Sequence, residues 1–259
     1  MPEIFTFDDV LAGWPTCEVS ADKYARGVVG IATGSKRYPG AGVLSVLGAL
    51  NSGAGFIRYL GPEATCQALL SRAPSVTFGP GKVDAWVVGS GWDDQESTQL
   101  HWERAIASGV GVVVDAGGLT YIDGVCSTQC LLTPHAGELA RLLGVERSVV
   151  EKHPSLSALE AAQRHGCTVL LKGHQQFVAH HDGTVVQLQS GSPGLARAGS
   201  GDVLAGIAGT LIAQTGDLKL SGLLAAGFQA WVSTKYVGAY PPDRMAEFMA
   251  GHIPGLDLP

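Results

Sequence analysis

The 259-residue chain is 46% hydrophobic and 15% charged, with a formal net charge of −6. That length suits one large α/β domain or two small ones, with a core that needs no disulfide or metal staple, and the acidic balance without any basic stripe argues against a nucleic-acid-binding surface. No apolar run reaches membrane-spanning length and MPEIFTFDDV lacks the charged-then-apolar pattern of a leader, so the expectation is a cytoplasmic protein that engages neither nucleic acid nor membrane. The five cysteines, Cys17, Cys66, Cys126, Cys130 and Cys167, are odd in number and form no CxxC pair, which reads as reduced thiols.

Short β-branched runs alternate with helical patterns along the chain. Val28–Ala32 reads as a strand and Gly40–Ser52 as a helix of small residues. Phe56–Leu60 is a strand, Pro62–Arg72 a helix, and Asp84–Gly89 a strand ending in Gly-Ser-Gly. The helix Asp94–Ser108 precedes the apolar strand Gly111–Asp115, and the short strand Leu131–Thr133 precedes the helix Ala136–Leu143. Leu156–His165 is a helix, and Thr168–Leu171 a strand running into Lys172-Gly173. Phe177–His180 and Thr184–Leu188 flank His181-Asp182-Gly183, a hairpin signal. The helices Val203–Gln214 and Gly222–Tyr236 follow a glycine-rich loop. Such alternation predicts an α/β fold: a central, mostly parallel β-sheet with helices on both faces. No linker or repeat divides it, so residues 1–259 read as a single domain.

Ligands of such sheets sit beyond the carboxyl ends of the strands. Gly89–Gly91, Asp115, Thr133–Glu138, Lys172-Gly173 and the glycine-rich loop all fall there. The loop, Gly191 through Gly206, centres on Gly199-Ser200-Gly201-Asp202. Glycines let amide N–H groups approach a ligand, and a helix starting there presents unpaired N–H groups and a positive dipole end, which suits phosphate. A carboxylate at such a site needs a purpose. The natural one is to take a proton from a hydroxyl attacking phosphorus.

Each of these residues also has a structural reading. Asp202 suits a helix N-cap, and Thr133 or His135 would cap the next helix with Glu138 in its first turn. Lys172 suits an exposed position and Asp115 a turn. The chain has no GxxxxGK[ST], no GxGxxG after its first predicted strand, no GxSxG and no HExxH, and its eight histidines lack metal-ligand spacing. His180-His181 reads as an exposed strand end.

In their order, these segments resemble the ribokinase-like superfamily, and within it the ADP/ATP-dependent NAD(P)H-hydrate dehydratases. The resemblance runs through Lys23–Gly27, Gly34–Ala41, Ser52–Gly55, Val88–Gly91 and Val114–Ala116. It continues through Leu132–Glu138, Leu170–Gly173 and Gly191–Gly206. Thr133-Pro134-His135-Ala136-Gly137-Glu138 is its most specific part, because related vitamin kinases carry Asn where this chain has His135. The resemblance implies repair of NAD(P)H hydrated at C6: a nucleotide phosphorylates the hydroxyl of the S form, and phosphate then leaves. It implies Asp202 as the catalytic base, and Gly199, Ser200 and Gly201 as the anion hole. Ala41, Gly91, His135 and Asp202 would contact the hydrate. Lys172, Gly173, His174, Gln175, Gln176 and Gly201 would bind ADP or ATP, and Glu138 would hold Mg²⁺ through water. It further implies a separate NAD(P)H-hydrate epimerase as functional partner and a homotetramer.

The chain departs from the family pattern at Arg197, Ala198 and Ser200 in the loop, at Gln176 where Thr is usual, at Gly117, and at Trp92-Asp93. Two alternatives stay open: a ribokinase-like kinase of a small alcohol such as a vitamin precursor, and a non-catalytic nucleotide-binding protein.

Overall fold

The computed structural model describes residues 2–16, 22–93, 95–122, 129–236 and 238–254; Cys17 and Cys126 lie outside these, and Cys66 and Cys167 carry free thiols. Ten strands are described: β1 (Glu3–Phe5), β2 (Val28–Ala32), β3 (Phe56–Tyr59), β4 (Thr77–Phe78), β5 (Ala85–Val88), β6 (Gly111–Val114), β7 (Cys130–Leu132), β8 (Thr168–Leu171), β9 (Phe177–His180) and β10 (Val185–Leu188). They form one sheet in the order β1-β10-β9-β8-β7-β6-β5-β2-β3-β4. All pairings are parallel except those of β9, which runs antiparallel to both β8 and β10. Asp182 Oδ1 accepts the Thr184 N–H at 2.8 Å and shapes the β9–β10 turn.

The helices are α1 (Phe7–Gly13), α2 (Pro39–Asn51), α3 (Glu63–Arg72), α4 (Gln95–Ala107), α5 (Ala136–Leu143), α6 (Arg147–Lys152), α7 (Pro154–His165), α8 (Ser200–Thr215), α9 (Leu218–Lys235) and α10 (Pro242–Met249). Successive strand side chains alternate between the two faces. Val29, Ile31, Val87, Val113, Leu131 and Leu170 pack against α1, α2, α8, α9 and α10. Val28, Val88, Val112, Val114, Leu132 and Val169 pack against α4, α5, α6 and α7. Both faces are therefore covered, and the central strands are apolar throughout. Helices α2 and α8 approach closely because a Cβ on Gly206 would overlap the Ser45 carbonyl.

Several boundaries differ from expectation. The last two expected helices begin earlier, at Ser200 and Leu218. Asp217 caps α9 by accepting the Leu220 N–H at 2.9 Å. Helix α7 starts at Pro154, whose fixed φ suits a first helical position. The short elements β1, α1, β4, α6 and α10 were not expected: each lacks a run long enough to show a period. In α1, Thr6 and Asp9 form a reciprocal capping box.

Candidate active site

Parallel register brings Ser90, Asp115, Thr133 and Lys172 together just past the ends of β5, β6, β7 and β8. Asp115 is 2% exposed, and Ser90 and Thr133 are fully buried. The Asp115 carboxylate accepts hydrogen bonds from Ser90 Oγ at 2.8 Å, Thr133 Oγ1 at 2.8 Å and Lys172 Nζ at 2.6 Å. Burial pulls the Lys172 pKa down, but the carboxylates of Asp115, Glu138 and Asp202 outweigh it and the net shift is upward. The Lys172 N–H also donates to the Pro134 carbonyl at 2.8 Å, which sets His135 beside Lys172.

His135 caps α5. Its Nδ1 accepts the Gly137 and Glu138 N–H groups at 3.0 and 3.2 Å, while Glu138 Oε2 accepts the His135 N–H at 2.8 Å. The accepting Nδ1 assigns the remaining imidazole proton to Nε2, which lies 3.5 Å from Glu138 Oε1. The structural reading of this segment is therefore realised, with histidine in the role usually taken by Ser, Thr, Asp or Asn.

Gly199 takes a φ of 95° immediately before α8, a conformation that favours glycine. Ser200, Gly201 and Asp202 thus belong to the first turn of α8 rather than to the loop before it. Ser200 spends both donors locally: its N–H and Oγ donate to the Arg197 carbonyl at 3.2 and 2.8 Å. Gly201 and Asp202 hold first-turn N–H groups of the kind a helix leaves unpaired. The Asp202 carboxylate is half-buried, and its pKa is pushed up to about 7 by burial and by the nearby Asp115 charge, with Lys172 opposing.

Asp202 opens into a cleft of about 640 Å³ that Asp115, His135, Lys172, Arg197 and Gln229 also line. A second cleft of about 540 Å³ shares the His135, Lys172, Gly173 and His174 wall and extends to Arg147 and Glu151. An anion entering the first cleft meets the Lys172 ammonium and the positive end of α8 together.

A family model described as NAD(P)H-hydrate dehydratase matches residues 29–246. The chain belongs to this family. It is 38% identical over 221 residues to the bifunctional NAD(P)H-hydrate repair enzyme Nnr of Mycobacterium tuberculosis, covering 81% of this chain and 46% of that protein. The chain thus spans about half the length of that relative. It is 33% identical over 219 residues to the ADP-dependent (S)-NAD(P)H-hydrate dehydratase of Xanthomonas campestris, covering 76% of each. In structure it is similar to the ADP/ATP-dependent NAD(P)H-hydrate dehydratase of Bacillus subtilis co-crystallised with ATP/Mg²⁺, with a TM-score of 0.87, 24% identity and 96% of each chain covered. A ribokinase-like superfamily protein from Enterococcus faecalis gives a TM-score of 0.86 at 21% identity. The fold is ribokinase-like.

In this dehydratase-family chain, the residues expected at the site are only partly brought together. Asp202, Gly199, Ser200, Gly201, Lys172, Gly173, His174, Gln176 and His135 all line the larger cleft. Gln175 lines only the neighbouring one. Glu138 faces a smaller cleft with Arg141 and Ala116. Ala41 and Gly91 pack against each other beside Gly34 and line neither of the two large clefts. Sequence reasoning missed Gln229, whose Nε2 donates to the Ser200 carbonyl at 2.9 Å and braces the start of α8. Its one signal is a glutamine within the apolar stretch Leu223–Val232. Ser90 and Thr133 were visible as edge residues, but not as partners of Asp115.

Proposed function

We propose that this chain dehydrates the S form of C6-hydrated NAD(P)H, using ADP and acting as a single domain. The observation that carries the reading is Asp202: a half-buried carboxylate with a pKa near 7 in the first turn of α8, in a cleft that Lys172 also lines. A base poised near neutral pH deprotonates a hydroxyl well, and the clamp around it suits a phosphoryl group. Asp202 takes the proton of the C6 hydroxyl as that oxygen attacks the β-phosphorus of ADP. The P–O bond to AMP breaks, and the C6 oxygen becomes a phosphate ester. Phosphate then leaves with the C6–O electron pair while C5 gives up a proton, which restores the dihydropyridine. The products are NAD(P)H, AMP and phosphate. Hydroxide is a poor leaving group and phosphate a good one, which is why kinase machinery serves a dehydration.

Lys172 and the Gly201 and Asp202 N–H groups would hold the transferring phosphoryl, and Lys172 through Gln176 the nucleotide. His135 would face the hydrate through its Nε2–H, with Ala41 and Gly91 nearby in the reading. Ser200 and Gly199 would complete the anion hole only if Ser200 turned away from the Arg197 carbonyl. Among the described residues no three His, Cys, Asp or Glu side chains gather as a metal cage. That suits Mg²⁺, which keeps several waters and needs only one or two carboxylates beside substrate phosphates. Glu138 offers an oxygen donor whose charge Lys172 already senses. When bound, Mg²⁺ supplies charge neutralisation at the phosphates.

The reading includes a cytoplasmic homotetramer served by a separate epimerase. No described helix is long and apolar enough to cross a membrane. Light scattering tests the tetramer: a mass four times the 26.8 kDa of the chain is expected, and a monomer mass would overturn it. The activity is tested with purified protein, Mg²⁺, ADP and S-hydrate. Growth of the near-ultraviolet band of reduced nicotinamide is expected, with AMP formed in equal amount. No growth with ADP or with ATP would sink the dehydration, and a stable phosphorylated small alcohol would favour the kinase alternative.

A further inference from the structure

Asp115 does more than end a strand. It is almost wholly buried, and its two carboxylate oxygens take three donors from three other strand ends. A carboxylate is seldom buried this deeply unless it is paired. Two donors, Ser90 and Thr133, are neutral hydroxyls that fix its orientation. The third, Lys172 Nζ, is the cation in the cleft wall.

The position of that ammonium is unusual. A Cβ built on Gly201 would lie 3.1 Å from Lys172 Nζ. The ammonium therefore sits directly against the first turn of α8, where the backbone lacks a side chain to keep it away. The Lys172 side chain is 18% exposed, so its remaining N–H bonds reach the cleft. Ala116, which follows Asp115, has a φ of 45° and is the single non-glycine with positive φ among the described residues. Such a conformation persists only where surrounding contacts over-determine it, and this one lies beside the socket.

We propose that Asp115, oriented by Ser90 and Thr133, is a positioning residue that fixes the Lys172 ammonium over the first turn of α8, making lysine and helix terminus one clamp for a phosphoryl group. The inference rests on the proposed function only for the identity of that group. A free lysine there would have two other carboxylates to choose from, Glu138 and Asp202, both of which it senses. Pairing with Asp202 would consume the base. Asp115 prevents this by holding the ammonium from below. Glycine at 201 serves the same end: a methyl group there would sit 3.1 Å from Nζ and displace it slightly from the helix start.

The test is a pair of double-mutant cycles read by calorimetric ADP binding, which needs no turnover. Asp115→Asn and Lys172→Met should each weaken ADP by about tenfold or more, and the double variant should bind no more weakly than Lys172→Met alone. Independent, multiplying effects would overturn the proposal, as would unchanged affinity in Asp115→Asn. Should Asp115→Asn fail to fold, Gly201→Ala carries the second cycle, since alanine suits a helical position. It should weaken ADP in the native background and have no further effect beside Lys172→Met; equal losses in both backgrounds would overturn the proposal. In turnover, Asp115→Asn should raise the KM for ADP more than that for the hydrate, a split that general destabilisation would not produce. Intact binding cycles without turnover would support the clamp and count against the dehydration instead.

Discussion

At the scale of residues, Asp202 makes the sharpest prediction. Its carboxyl binds a proton more tightly in the folded chain than in the unfolded one, with the pKa moving from 3.8 to about 7. Folding therefore takes up a proton between those values, and raising the pH through about 7 removes stability. Asp202→Asn removes the ionisation while keeping the shape. Its melting temperature relative to the native chain should rise steadily as the pH is raised across that window and level off above it. A constant offset would contradict a buried, proton-holding Asp202. The same group should place the acid limb of kcat/KM near pH 7 in the native enzyme, and turnover should vanish in Asp202→Asn. The sequence pointed to Asp202 because two glycines and a helix lie beside it. It did not reveal how Asp115 is used. Ser90, Thr133 and Lys172 are 25, 18 and 57 residues from Asp115, and only the parallel register brings them to it.

At the scale of elements, local chemistry made most of the fold readable and also limited what could be read. The central strands and the helices between them announced themselves through apolar runs punctuated by glycine and proline. The starts of α8 and α9 did not, because Ser200-Gly201 looks like loop and Leu218–Ser221 like part of the turn that Gly216-Asp217 opens. Helix α5 shows how one segment serves two ends. His135 both caps the helix through Nδ1 and lines the cleft. His135→Ala should cost about 1 kcal/mol of stability, the usual loss for a cap, whereas His135→Asn should keep most of it because asparagine caps well. Chemical denaturation measures that difference. Hydrate KM separates the two roles: both variants should raise it, since neither keeps the imidazole. An Asn variant that binds hydrate normally would leave His135 a cap and nothing more.

At the scale of the molecule, the site depends on both sheet faces. Helix α5 belongs to one face and α8 to the other, and the starts of both line the same cleft past the strand ends. What braces α8 is α9, through Gln229, and what covers α9 is the first described segment of the chain. Strand β1 joins the sheet edge beside β10, and α1 lays Val10, with Trp14 just after it, on α9. Trp14 is 5% exposed, with its ring 4.4 Å from that of Phe228, the neighbour of Gln229 in sequence. Nothing in the opening residues signalled this, because a three-residue strand and a seven-residue helix show no period. Trp14→Ala should cost about 3 kcal/mol, as large aromatic truncations in cores do. Denaturant midpoints would report it. The loss should be global rather than local to the site. At a temperature where the variant remains folded, its ADP affinity should stay within about threefold of native, because Gln229 bonds Ser200 through its own amide and contacts distant from a site add independently. Gln229→Ala should weaken ADP more than Trp14→Ala does while lowering the midpoint less, since it removes a buried hydrogen bond and a smaller side chain. If Trp14→Ala instead weakened ADP as strongly as Gln229→Ala does, α9 would have to transmit packing directly to the start of α8, and the division between cover and brace would fail.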